Sequence, residues 1–240
     1  MCKKLLPLAL MCFANTAVAQ GNWTIGVLAV DATDVYTGGQ DAPSFAPIIS
    51  YDTEKLHIGF DGVSYQVYDY GFGQIDLGVA YRAAPGFPEK SALFNGLKRE
   101  DAVELAVGTQ LEFGNLYVGL DALTDVTGVH KGTEVDATIG YVMQAGQFQI
   151  DAAIGARYRT AELNQYLFGV APGEVTDARS AFKADATTTG FANLTIGYPI
   201  TDSVTAVAQF SIEETGKNKD SPLVSRSSAV GVGLGVAWTF

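Results

Sequence analysis

The chain holds two histidines, and only one of them sits where chemistry is conceivable. His57 alternates with Leu56 and Ile58, beside Lys55 and Asp61, and Ser50 and Ser64 are close in sequence. A Ser–His pair hydrolyses esters when a nucleophile, a base and an orienting acid are in contact. No spacing here brings three such groups together, so the expected state of His57 is a hydrogen-bonded polar residue on an inward face. His130 falls in a connecting segment without a catalytic partner. Two histidines and two cysteines at the far N-terminus cannot build a metal cluster. "GVGLGV" (231–236) mimics a phosphate-binding glycine loop, but no helix follows it. The expectation is therefore no catalytic residue, no cofactor, no metal and no enzyme.

Charged residues offer a different chemistry. Asp76, Glu104, Glu112, Asp121, Glu134, Asp136, Asp151 and Glu213, with Arg82, Arg157 and Lys55, alternate with apolar neighbours and so share an inward face. Buried charges must be paired. Two readings follow: an internal salt-bridge network that plugs a lumen, or a pore that favours cations.

The elements that position these charges are strands. The last segment, "AVGVGLGVAWTF" (229–240), sets Val230, Val232, Leu234, Val236, Trp238 and Phe240 against Ala229, Gly231, Gly233, Gly235, Ala237 and Thr239. "AVELAVGTQLEF" and "FQIDAAIGARYR" repeat the same period of two. One face is greasy; the other mixes Gly, Ala, Thr and Gln with single charges. Rings gather near segment ends, as at Trp23, Tyr51, Tyr81, Phe113, Tyr141, Tyr158, Tyr198, Trp238 and Phe240, the pattern of aromatic girdles at a bilayer surface. The fold class expected is all-β: a closed antiparallel transmembrane barrel of about twelve strands. They fall near 22–30, 42–51, 55–61, 63–70, 72–82, 101–113, 115–123, 133–145, 147–158, 189–199, 203–214 and 228–240. Short turns alternate with mostly long loops, at 31–41, Gly62, 83–100, 124–132, 159–188 and 215–227, so periplasmic turns and extracellular loops are expected. Pro43 and Pro47 predict that the second strand is distorted or partly covered.

The N-terminus reads "MCKKLLPLALMCFANTAVAQ". Its order of charge, apolar run and small residues is that of a secretory signal peptide, residues 1–19, with cleavage before Gln20 and a single domain over 20–240. Both cysteines, Cys2 and Cys12, fall inside it. The chain carries 15 Lys+Arg and 26 Asp+Glu, and removing Lys3 and Lys4 leaves a formal charge of −13. Such a surface gains nothing from counterion release, so nucleic-acid partners are disfavoured. Mean hydropathy is +0.15. That apolar content is spread in alternation, without a run past residue 19 long enough for a spanning helix.

Three stretches resemble one family. "QYLFGVAPGEV" (165–175), "KDSPLVSRSSAVGVGLGVAWTF" (219–240) and "GGQDAPSFAPIISYD" (38–52) are similar, in order along the chain, to segments of the MltA-interacting (MipA/OmpV) proteins. The chain departs from the family's usual Tyr-Arg-Phe ending with "WTF", and Phe168 follows Leu167 where paired tyrosines are common. The resemblance implies an outer-membrane barrel acting as a scaffold or adaptor between a lytic transglycosylase and a murein synthase, in contact with outer-membrane lipid. Phe240 resembles the terminal aromatic that serves as an assembly signal in such barrels. A narrow channel for small solutes is the alternative.

The longest loop carries Tyr166, Leu167, Phe168, Gly169 and Val170 together. Leaving such a patch in water forfeits ~25 cal/mol per Å² of apolar area. It is expected either to fold over the barrel mouth as a lid or to bind a partner.

Overall fold

The computed structural model describes residues 21–39, 43–88 and 91–240. The predicted leader and its cleavage point lie outside the described residues. Twelve strands close into one antiparallel barrel, each paired with its chain neighbour and β1 with β12. They are β1 (Asn22–Ala32), β2 (Ser44–Asp52), β3 (Leu56–Gly59), β4 (Gly62–Asp69), β5 (Gly73–Arg82), β6 (Ala102–Phe113), β7 (Leu116–Asp125), β8 (Thr133–Ala145), β9 (Phe148–Arg159), β10 (Thr187–Pro199), β11 (Val204–Glu214) and β12 (Ser228–Thr239).

Side-chain facing follows the alternation. Val103, Leu105 and Val107 on β6, and Val232, Leu234, Val236 and Trp238 on β12, stand exposed on the outside. Inside, the glycines of β12 make room. Leu28 lies over them fully buried, and a Cβ on Gly233 would come 2.8 Å from Leu28 Cδ2. Leu28, Val30, Ala32 and Ile48 form an apolar patch on this side of the lumen. The far side, from β5 round to Glu213 on β11, carries the charges.

The start of β1 and the end of β12 lie on the rim of short turns, because the strand number is even. Trp23 and Phe240 exchange two backbone hydrogen bonds of 2.9 Å there, locking the first strand to the last residue. Gly71, Gly114 and Gly146 take positive φ (84°, 68° and 64°) in these turns, where a side chain would be strained.

Two expectations need correction. β3 is only four residues long, against seven predicted, since the chain turns back at Phe60–Asp61. Lys55 is not on the inward face; it is exposed in the turn ahead of β3.

Candidate functional site

The opposite rim is covered by an interlocked cap. The loop from β9 to β10 is not irregular throughout: Ala161–Phe168 forms a helix, α1. "AELNQYLF" is rich in strong helix formers, and the Gly169 N–H closes the last turn on the Gln165 carbonyl. Tyr166, Phe168 and Val170 are buried, and Leu167 is half-buried. Phe94, Leu97, Val170 and Leu223 form the cap's apolar core, with Tyr36, Phe87 and Phe182 against it. These residues come from four loops.

Polar side chains pin the loops to one another. Arg99 donates to the carbonyls of Tyr166 (2.7 Å) and Gly169 (3.2 Å) and pairs with Glu174 (2.7 Å). It thus satisfies orphan carbonyls at the C-terminal end of α1. Arg179 donates to the carbonyls of Leu93 (2.6 Å), Asn95 (3.0 Å) and Glu174 (2.6 Å). The fully buried Asn164 donates to the Asp185 carbonyl and to Thr187 Oγ1, and accepts from Asn218 at 3.2 Å. Ser221 Oγ donates to the Phe168 carbonyl (2.6 Å) and the Tyr36 hydroxyl to the Leu167 carbonyl (3.1 Å). Burial, and then the charge of Asp34, pushes the Tyr36 hydroxyl far up. Burial likewise pushes Tyr166 up to about 12, so it stays protonated and donates to the Glu100 carbonyl at 2.8 Å.

Beneath the cap lies a layer of ion pairs. Arg157 forks onto Asp136 (Nε–Oδ1 2.8 Å, Nη2–Oδ2 2.6 Å) and reaches Glu213 at 2.6 Å. Arg159 bridges Glu134 (2.6 Å) and Glu213 (2.7 Å), and Arg82 bridges Glu104 (2.8 Å) and Glu134 (3.2 Å). His130 Nε2 is 3.1 Å from Glu104 Oε1, both side chains being buried. Four carboxylates thus face three guanidiniums. The Phe191 ring lies under Arg157 at 5.1 Å. Between cap and lumen floor is a cavity of about 650 Å³.

Of the charges singled out in sequence, Arg82, Glu104, Glu134, Asp136, Arg157 and Glu213 meet in this layer. Asp76 accepts from Gln74, and Asp151 from the Tyr117 hydroxyl (3.0 Å). Glu112 is exposed near the turn rim. Phe240 is exposed there as well. His57 lies between Asp52 (2.6 Å) and Asp61 (3.0 Å), while Ser50 Oγ donates to Asp52 rather than to the ring. That is not the order a nucleophile–base–acid triad requires.

A family model described as "MltA-interacting protein MipA" matches residues 25–240. The chain belongs to this family. It is similar to outer membrane protein Omp26La of Vibrio anguillarum, 23% identical over 231 residues, which are 94% of this chain and 90% of that protein. It is 22% identical to outer membrane protein OmpV of Vibrio cholerae serotype O1, with the same coverage. Among solved structures it is similar to the NanC porin, at 12% identity and a TM-score of 0.47, over 89% of this chain and 98% of that one. The chain is a MipA-family β-barrel of the outer membrane. Its turn rim accordingly faces the periplasm and its cap the outside.

Several residues that build the MipA-family cap carried no signal in sequence. Arg99, Arg179 and Asn218 sit in polar loop stretches, and His130 in a connection. Asn164 is legible only once α1 is known, because it then shares a face with Phe168.

The cap should respond to acid. Burial works to raise the Glu174 carboxyl, but the Arg99 hydrogen bond and the Ala171 N–H outweigh it, and with the nearby Arg179 charge they hold it below its ordinary value of 4.5. A depressed carboxylate contributes stability above its unfolded value and loses it as pH falls through the folded one. The pair is partly exposed, so the contribution is at most ~1 kcal/mol. Protease cleavage within 160–186 should therefore accelerate as pH drops below about 4.5, and Glu174→Gln should flatten that dependence. An unchanged profile in Glu174→Gln would remove Glu174 as the responsive group.

Proposed function

We propose that this MipA-family barrel works as a non-enzymatic adaptor that holds a lytic transglycosylase, and with it a murein synthase, at the outer membrane. The observation that carries this reading is the capped lumen: interlocked loops above an arginine–carboxylate layer suit a membrane anchor better than an open conduit. The family's description as MltA-interacting supplies the partner class. In this reading the partner meets the periplasmic turn rim, where Phe72, Ile200 and Phe240 are exposed. The direct test is retention of a purified MltA-type transglycosylase on immobilised barrel in detergent. Passage of the enzyme straight through at micromolar concentration would overturn the adaptor assignment.

The cavity beneath the cap keeps a second reading in view, a narrow channel for small solutes. Single-channel recording separates the two. The parent is expected to pass no steady current in a planar bilayer and to resist proteases within 163–172, since docked segments are poor substrates. Deleting 163–172 removes most of α1 and is expected to open a cation-preferring current, because carboxylates outnumber guanidiniums below. A steady current through the intact parent would put the channel reading first. A silent deletion variant that still runs as a heat-resistant barrel on gels would make the ion-pair layer the seal.

A further inference from the structure

The barrel wall is incomplete on one side. β1 pairs with β2 along Asn22↔Asp52 to Val30↔Ser44. β3 then meets β2 only at Ser50↔Gly59, Tyr51↔Ile58 and Asp52↔His57. Among the described residues, the other edge of Ser44 to Ile49 has no paired strand, a length of roughly 17–20 Å at strand rise. Across the gap, β4 begins at Gly62↔Ala80, leaving the end of β5 unpaired on that side. The short β3–β4 turn, Phe60–Asp61, forms the sill.

This gap lies at membrane depth. On the lipid-facing side of β2, Phe45 and Tyr51 bracket Pro47 and Ile49, and Phe45, Ile49 and Tyr81 are exposed outward. Open sheet edges do not persist in hydrocarbon unless they border protein or a water-holding cavity. The cavity beneath the cap does border this one. Its lining includes lumen-facing Ala46 and Ile48 and also lipid-facing Pro47 and Ile49, so it reaches the unpaired edge of β2.

The chemistry of the edge selects its occupant. Trp23 directs its backbone groups to Phe240 on the far side of β1, and alternation then directs those of Thr24, Gly26 and Leu28 to β2. Pro47, opposite Val27, therefore turns its nitrogen to the gap, where it offers no donor. Proline at such a position blunts strand addition. What remains is an edge that keeps only the Phe45 and Ile49 N–H donors, with an apolar flank of Ala46, Ile48, Ile49 and Ala80 beside bilayer hydrocarbon and with Ser50, Asp61 and Arg82 lining the same cavity.

We propose that this opening between β2 and β5 admits an acyl chain of an outer-leaflet lipid sideways into the lumen, where it lies along Ala46 and Ile48. The site is a lateral lipid-chain site, independent of any periplasmic partner.

Brominated lipid tests it. Trp23→Phe and Trp238→Phe remove the native tryptophans, and single tryptophans are placed at Ala46 or Ala80, both lumen-facing. The full barrel is refolded into vesicles of phosphatidylcholine brominated on one acyl chain. Ile49→Trp, on the lipid face, sets full quenching, and Val207→Trp, buried on another part of the lumen wall, sets the background. Ala46→Trp and Ala80→Trp are expected to lose fluorescence to nearly the extent of Ile49→Trp. Quenching at background level overturns the proposal, whether aqueous acrylamide reaches these sites (a water-filled notch) or not (a sealed wall). Equal quenching at Val207→Trp also overturns it, since the chains would then enter without regard to the opening. Heat-resistant migration on gels confirms folding of each variant, and Ala80→Trp carries the test alone if Ala46→Trp does not assemble.

Discussion

Arg157→Met is expected to destabilise the barrel by ~3–5 kcal/mol, the cost of removing one partner from a buried ionic cluster. Methionine keeps much of the packing over Phe191 but withdraws the cation. Asp136 loses both bonds of its fork and Glu213 one of its two arginines. Four carboxylates then face two guanidiniums, with side chains that are largely buried. Arg157→Lys restores the charge without the planar fork, so it should fall between parent and Arg157→Met. Glu112→Ala, at the exposed turn rim, should stay within about 0.5 kcal/mol of the parent. The measurement is urea unfolding in detergent or lipid, followed by the loss of heat-resistant migration. Equal midpoints for Arg157→Met and Glu112→Ala would show that the layer beneath the cap contributes nothing to stability.

Val107→Arg is expected to cost assembly roughly 2–4 kcal/mol, the penalty for a cation on a barrel's outer face near the bilayer midplane. Val107 is exposed on the outer face midway along β6. Its neighbour Gly108 faces the lumen, where a new Cβ would meet only the Asp121 carboxylate, 2.5 Å away and able to swing aside. Gly108→Ser should therefore fold at near-parent yield. Folded fraction in vesicles, read on gels, compares the pair. Equal yields would mean that the two faces of β6 are not lipid and lumen.

These two variants fall on different sides of what the sequence shows. The face of Val107 is a local property. A period of two repeats over each segment, and a slip by one residue would move every apolar side chain to the wrong face. Strand number, strand order, facing and the rim of short turns all follow from that alternation. The family is legible separately, through the resemblance of three segments that keep their order along the chain.

The partners of Arg157 are a different kind of fact. That Asp136 lies opposite follows from the β8–β9 hairpin, but Glu213 comes from β11, two strands further round the barrel wall. Alternation says that all three point inward; only closure of the barrel says which of them touch. The cap was still less legible. Its apolar patch at Tyr166–Val170 was visible as a segment that water disfavours. Its clamps, Arg99 and Arg179, are loop arginines, indistinguishable from solvated ones until four loops fold against each other.

The opening beside β2 shows the same division. Pro43 and Pro47 marked the second strand as distorted or partly covered, because proline cannot donate to a ladder. They could not show that β3 would stop after Gly59 and leave that strand's edge bare, since strand length in a barrel depends on the neighbour's register. By itself, then, the sequence determined the fold, the facing of its strands and the family, all carried by short-range periodicity and ordered motifs. Tertiary structure alone decided the ion-pair layer, the locked cap and the gap in the wall, because each depends on contacts between residues that only the closed barrel brings together.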